Sequence, residues 1–180
     1  MARKDDYTEE HTRRVALSAV QVGEELGLSA GRLRALATGA LVHDIGKLSI
    51  PDAVLQKPGP LTDDEFEIVR CHPEWGERML VDLGFTEDVR QLVRDHHERL
   101  DGSGYPHGAT GSLISFDARI LAVCDVYDAL ISRRVYRDAW PHERAVALLR
   151  EESGTSFDPK CVAALERVLS IERAPAAAAV

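Results

Sequence analysis

His96-His97-Glu98-Arg99-Leu100-Asp101-Gly102-Ser103-Gly104-Tyr105-Pro106 sets two adjacent imidazoles at a predicted helix end and runs them straight into a glycine-rich turn. Each follows an apolar residue by four, Leu92 for His96 and Val93 for His97, so both rings can reach the same cleft. Upstream stands His43-Asp44-Ile45-Gly46-Lys47, and downstream Asp125 closes the apolar run Arg119-Ile120-Leu121-Ala122-Val123-Cys124. Imidazole with carboxylate is the donor set that divalent first-row metals favour. Such groups, drawn from separate segments, point to a metal centre assembled between helices.

The flanking sequence reads as helices as well. Val15, Ala19, Val22 and Leu26 recur at helical spacing after Thr8, and Gly27 offers a stop. Ser29 is placed to cap a second helix carrying Leu33, Leu36, Ala37, Ala40 and Leu41, with His43 and Asp44 at its end. Thr62-Asp63-Asp64-Glu65 reads as a capping box opening a third. Pro73 fits the first turn of a fourth that ends near Gly84, and Thr86 caps a fifth. Residues 98–114, with Gly102, Gly104, Gly108, Gly111 and Pro106, read as a long ordered loop. A helix over 115–132 follows, then one after Pro141 and one opened by Asp158-Pro159. Strand signals are scarce, and neither an internal repeat nor a linker divides the chain. The expectation is one all-α domain over residues 1–173, with 174–180 a disordered alanine-rich tail.

Composition narrows the class. A chain of 180 residues, 44% apolar and 29% charged, can bury a core and is globular rather than disordered. No apolar run approaches the roughly 20 residues that cross a bilayer, and no apolar segment follows the charged start as a secretory signal requires. Cys71, Cys124 and Cys161 are odd in number and far apart, which fits free thiols in a reducing compartment, so a cytoplasmic location is expected. The net charge of −8 argues against broad binding to DNA or RNA, which needs a basic face. It leaves room for a small anionic ligand, because local cations can reverse the potential in one cleft.

The candidate ligands each have a plainer reading. His11 lies four before Val15 and shares its apolar stripe, where a lone histidine is more often a satisfied core residue. His43-Asp44 is a common dipeptide, and its carboxylate could be a helix-end hydrogen-bonding group. Asp125 is harder to dismiss, because a buried carboxylate needs a cation, whether an arginine or a metal. Five of the seven histidines, His11, His43, His72, His96 and His97, fall at or near predicted helix ends. With Asp44 and Asp125 they exceed what one ion needs, and two ions sharing a bridging carboxylate would use them all. His107 and His142 read as solvated bystanders.

At these residues the chain resembles the HD-GYP family, a branch of the HD metal-dependent phosphohydrolases. The resemblance runs from about Asp6 to Leu169. It rests on His43-Asp44-Ile45-Gly46-Lys47, His72-Pro73-Glu74, the opening stretch with Gly104-Tyr105-Pro106, Asp125-Val126-Tyr127-Asp128-Ala129-Leu130, Arg134-Val135-Tyr136-Arg137 and Phe157-Asp158-Pro159. It implies a helical bundle of about seven to eight helices with a loop extension. The family hydrolyses cyclic di-GMP, a bacterial second messenger, to linear pGpG and in some members on to GMP. Carried over, His11, His43, Asp44 and Asp125 resemble the ligands of one metal. Asp44, His72, His96 and His97 resemble those of a second, with Asp44 bridging. Lys47 corresponds to a position near the reacting water and a substrate phosphate, and Arg134 and Arg137 to the basic positions that receive phosphates. Gly104, Tyr105 and Pro106 shape the mouth of the site, a surface the family is reported to use against diguanylate cyclases of the GGDEF type. Members with three metals carry a glutamate four residues before the first histidine ligand. Here Tyr7 stands there, which implies two metals.

The resemblance favours iron, then manganese, while zinc, nickel or cobalt also suit the donor set. Two ions about 3.5–4 Å apart lower the pKa of a shared water from roughly 16 toward neutrality, which readies it for in-line attack on phosphorus. Lys47 and the metals would offset charge on the non-bridging oxygens, and Arg134 and Arg137 would grip phosphate through forked hydrogen bonds. Lys47 also suits the last turn of a helix, where a cation meets the negative end of the dipole. Glu98, Asp101 and Asp128 are candidates to orient ligating imidazoles, or are ordinary loop and helix-end hydrogen bonders. Tyr105 either stacks on a guanine or packs its loop. Rival functions are a sensor or cyclase-docking module with little turnover, and another HD-type enzyme acting on ordinary nucleotides.

Overall fold

The structure, a computed structural model, describes residues 2–133 and 138–173, with side chains from 9 to 133 and 138 to 171. Helices account for its regular structure: α1 (Ala2–Glu25), α2 (Ala30–Val42), α3 (Asp52–Leu55), α4 (Asp63–Arg70), α5 (His72–Asp82), α6 (Glu87–Asp95), α7 (Phe116–Ile131), α8 (His142–Glu151) and α9 (Pro159–Arg173). Two 3₁₀ turns, Ile45–Ser49 and Gly111–Leu113, lie between them. Among the described residues the only extended pairings are isolated bridges, Asp101 with Thr110 and Ser153 with Phe157. The expected all-α class holds. The tail 174–180 lies outside the described residues.

α7 is the spine. Ala118, Ile120, Leu121, Ala122, Val123, Cys124, Tyr127, Asp128 and Leu130 are all buried, which requires partners on every side. α1, α2, α6, α8 and α9 supply them. Val15, Ala19 and Val22 of α1 meet Leu36 and Ala40 of α2 and Leu92 and Val93 of α6 in one continuous core. Burying each such aliphatic side chain stabilises the fold by roughly 1.5–3 kcal/mol.

The caps act largely as the sequence predicts. Ser29 Oγ accepts from the Arg32 amide at 3.4 Å and Ser115 Oγ from that of Ala118 at 3.2 Å. The Thr62 capping box closes both ways, with Glu65 N donating to Thr62 Oγ1 at 3.3 Å and Thr62 N to Glu65 Oε2 at 2.7 Å. Thr86 stands at the N-cap of α6 with extended backbone, but its side chain makes no capping bond. α1 starts at Ala2, earlier than its apolar stripe, and the Glu9–Arg13 and Glu10–Arg14 pairs brace the turns just before Val15.

The largest correction concerns the end of α2. The helix stops at Val42, His43 is its C-cap, and Asp44 opens the 3₁₀ turn that carries Lys47. Lys47 therefore does not sit in the last turn of α2. The turn presses backbone to backbone against α5. A Cβ on Gly46 would lie 1.9 Å from the His72 carbonyl oxygen and 2.6 Å from the Gly76 nitrogen. That contact brings Asp44 beside His72, and only glycine allows it.

Gly46→Ala should therefore lower stability by about 1–3 kcal/mol. A thermal melt should show the midpoint falling by roughly 2–12 °C, and an unchanged midpoint would contradict the close approach.

Candidate metal centre

Three helix C-termini deliver the histidines. His43 follows the last residue of α2, His96 the last of α6, and His72 stands two beyond the end of α4. Each ring turns back on its own helix end: Nδ1 meets the carbonyl three residues earlier, Ala40 at 2.7 Å, Val69 at 2.8 Å and Val93 at 2.7 Å. Helix-end carbonyls lack intrahelical donors, so the bond satisfies both partners. A carbonyl only accepts, so Nδ1 donates, and in the neutral ring Nε2 keeps its lone pair for the site. The negative ends of α2 and α6 thus face one place, which favours a cation there, while His72 stands at the junction where α4 ends and α5 begins.

His11 is held differently. It projects from α1, its Nδ1 2.6 Å from Asp128 Oδ2 and its Nε2 3.2 Å from Asp125 Oδ1. Asp128 in turn accepts two bonds from Arg14, Nε at 2.6 Å and an NH2 nitrogen at 3.0 Å, and the same guanidinium donates to Ser132 Oγ. Asp128 therefore orients an imidazole, as expected, whereas Arg14 carried no sequence signal of its own.

The structure gathers the candidates into two groups. Asp44, His72, His96 and His97 offer ligand atoms all within 4.8 Å of one another, as do His11, His43 and Asp125. Asp44 lies between them: Oδ1 is 3.2 Å from His72 Nε2, and Oδ2 is 3.5 Å from His43 Nε2 and 2.6 Å from Lys47 Nζ. Nε2 of His43, His72 and His96 and Oδ1 of Asp44 are fully buried without a hydrogen-bond donor or acceptor partner among the described residues. Each such orphan costs about 1–3 kcal/mol. Four orphans, all able to donate a lone pair, fit a divalent metal.

The electrostatics agree. Burial opposes the charge on Asp44, yet the Lys47 ammonium beside it holds its carboxyl well below the usual carboxylate range. Asp125 is likewise depressed, against its burial, by the hydrogen bond from His11. Burial pushes His96 down to about 3, and with the adjacent His96 it takes His97 well below its ordinary value, so both rings stay neutral. His11 alone goes up, to about 9 despite burial, because it lies between Asp125 and Asp128.

For two loop residues the structure favours the plainer of the two readings. Glu98 does not orient an imidazole; its buried carboxylate accepts the amides of His107 at 2.7 Å and Ala109 at 2.9 Å. Asp101 likewise serves its own turn, accepting from the amide and hydroxyl of Ser103. Gly104 lies directly on the Glu98–Arg99 backbone, where a Cβ would come within 2.4 Å of the Arg99 nitrogen. Tyr105, followed by a cis bond to Pro106, stacks at 4.6 Å from His97, with the Arg70 guanidinium 5.3 Å from its ring centre. His107 pairs with Glu74 at 3.4 Å, and His142 is no bystander, since its Nδ1 shares a 2.7 Å hydrogen bond with the Tyr127 hydroxyl. Arg134, Arg137 and the side chain of Tyr7 lie outside the described residues.

A family model described as HD domain matches residues 1–161. The chain belongs to the HD domain family. Membership implies divalent-metal binding, and the clustered histidines and aspartates of this HD domain can hold metal. It is 44% identical over 166 residues, 91% of its length, to the cyclic di-GMP phosphodiesterase response regulator RpfG of Xanthomonas campestris pv. campestris. It is 39% identical over 168 residues, 93% of its length, to 3′3′-cGAMP-specific phosphodiesterase 3 of Vibrio cholerae. The HD domain spans only 44% and 36% of those two proteins. Among solved structures, Bd1817, an HD-GYP-type protein of Bdellovibrio bacteriovorus, superposes with a TM-score of 0.76 at 20% identity, over 94% of this chain and 55% of that one, which shows the shared fold. The HD-GYP resemblance read from the motifs is borne out. No helix among the described residues is long and apolar enough to cross a membrane.

Asp128→Ala removes the acceptor that fixes His11 and leaves Arg14 without its fork. Metal affinity measured by chelator competition should fall about 10–100-fold, and wild-type affinity in the variant would refute the orienting role.

Proposed function

We propose that the chain is a metal-dependent phosphodiesterase that hydrolyses cyclic di-GMP to pGpG, and on to GMP if the linear product re-enters the site. The observation that carries this is Asp44, whose two oxygens face two separate imidazole groups. His11, His43, Asp125 and Asp44 would hold one ion, and Asp44, His72, His96 and His97 a second, with iron first and manganese next. Bound there, such a pair supplies Lewis acidity that activates water and draws charge from the phosphoryl oxygens.

The chain's own residues do the rest. Asp44 keeps both groups in register. Lys47, 2.6 Å from it and partly exposed, is placed to hold a non-bridging phosphate oxygen as negative charge builds. Arg134 and Arg137 are assigned to the phosphates from their place in the sequence, as forks that grip two oxygens at once. Gly104, Tyr105 and Pro106 wall the mouth, and a diguanylate cyclase docking on that surface would bring the enzyme to the source of its substrate. The unit that acts is residues 1–173, in the cytoplasm. A second reading, cleavage of 3′3′-cGAMP, is favoured by the relative specific for that nucleotide. Both substrates present a guanosine 3′–5′ phosphodiester.

Anaerobically purified protein reloaded with iron(II) or manganese(II) should convert cyclic di-GMP to pGpG, with 3′3′-cGAMP run in parallel. Tight nucleotide binding without product from either metal form would establish the sensor reading instead. Asp44→Ala should lose metal and activity together, and a variant retaining two ions per chain would overturn the bridging role.

A further inference from the structure

Four of the five clustered imidazoles have a hydrogen bond that fixes the ring. His43, His72 and His96 use the carbonyl three residues back, and His11 uses Asp128. His97 is the exception, with no protein hydrogen bond to either ring nitrogen among the described residues. Its ring is held by packing alone, with His96 at 4.0 Å, His72 edge-on at 5.1 Å and Tyr105 at 4.6 Å, the last tilted by only 31° and so the one that covers its face from the loop. A ligating imidazole free to rotate binds metal less well, so whatever fixes this ring matters to the site.

Tyr105 itself belongs to a loop, and the loop is pinned from beneath. The Tyr105 amide donates to the His97 carbonyl at 3.2 Å, and Gly104 touches the backbone of residues 97–99. Glu98, next in sequence to His97, is closed off from solvent and directs each carboxylate oxygen at a different loop amide, His107 and Ala109. A carboxylate is retained in such a place only against strong donors, and these two amides are the ones it has. The clamp and the ring it places are therefore both tied to His97.

We propose that Tyr105, held by the Glu98 clamp, is the positioning residue of His97, its ring doing for that imidazole what a helix-end carbonyl does for His43, His72 and His96. The inference rests on the metal-site reading above. It makes the glycine-rich loop part of the metal centre's support, and it confines that support to the group of Asp44, His72, His96 and His97. The ring, not the hydroxyl, does the positioning. Glu98 acts through Tyr105 and has no separate effect on the ligands.

Anaerobic cobalt(II) titration of the full chain against a coloured chelator, with visible absorption recorded, tests this. The wild type should take two ions, and His97→Ala identifies which of them depends on this group. Tyr105→Ala should weaken that ion about tenfold or more and alter its absorption, leaving the other within about twofold. Tyr105→Phe should behave as wild type. Glu98→Gln, which turns a donor toward one of the two amides, should weaken the same ion and add nothing once Tyr105 is alanine. Wild-type affinity and spectrum in Tyr105→Ala would overturn the inference, as would a Glu98→Gln effect that persists undiminished in the Tyr105→Ala background. A wild type that takes fewer than two ions overturns the two-ion reading and this inference with it, whereas indifferent variants beside an intact two-ion wild type overturn the inference alone.

Discussion

Acceptors that face one another with no proton between them are the constraint on which this structure depends. Each helix-end carbonyl accepts a hydrogen bond from the Nδ1–H of its histidine, so in the neutral ring Nε2 of His43, His72 and His96 arrives at the centre as a lone pair. Asp44 meets two of those nitrogens at 3.2 and 3.5 Å, acceptor against acceptor. Lys47 Nζ lies 2.6 Å from Asp44 and offsets its charge, while His11 stands between Asp125 and Asp128. A divalent cation is what such a set of converging lone pairs would take up.

The fold exists to converge those ends. α2, α4 and α6 each stop where a histidine must stand, and α7, buried on nearly every side, carries Asp125 and Asp128 to meet them. Bare backbone at Gly46 lets the 3₁₀ turn bearing Asp44 and Lys47 seat against the first turn of α5. The loop after His97 then folds back over the same residues instead of leaving the site. Candidate ligands separated by more than a hundred residues in sequence, His11 and Asp125, end 3.2 Å apart.

Much of this was legible in the sequence, and the failures have physical reasons. Asp125 announced itself because a buried carboxylate is costly without a cation, whereas His11 on its apolar stripe read by itself as an ordinary core histidine and gained weight only from the other imidazoles. Ser29 and Thr62 marked helix starts because their side chains satisfy local amides, which is a short-range property. The start of α1 at Ala2 was missed because residues 2–10 are almost all polar and carry no apolar period. The turn at Ile45–Ser49 and α3 are too short for any period to register. Glu98 stayed open between two roles because its partners are backbone amides nine and eleven residues on, and an amide has no residue type to recognise. Arg14 was invisible for the opposite reason: beside Glu10 it looks like an ordinary surface pair, while its real partner is Asp128, 114 positions away.

The central claim is that Asp44 serves two metal ions at once. Anomalous diffraction from crystals of the manganese(II)-loaded protein measures this most directly. The account predicts two peaks about 3.5–4 Å apart, one beside His11, His43 and Asp125, the other beside His72, His96 and His97, with one Asp44 oxygen on each. A single peak, or two peaks with Asp44 touching only one of them, would contradict it.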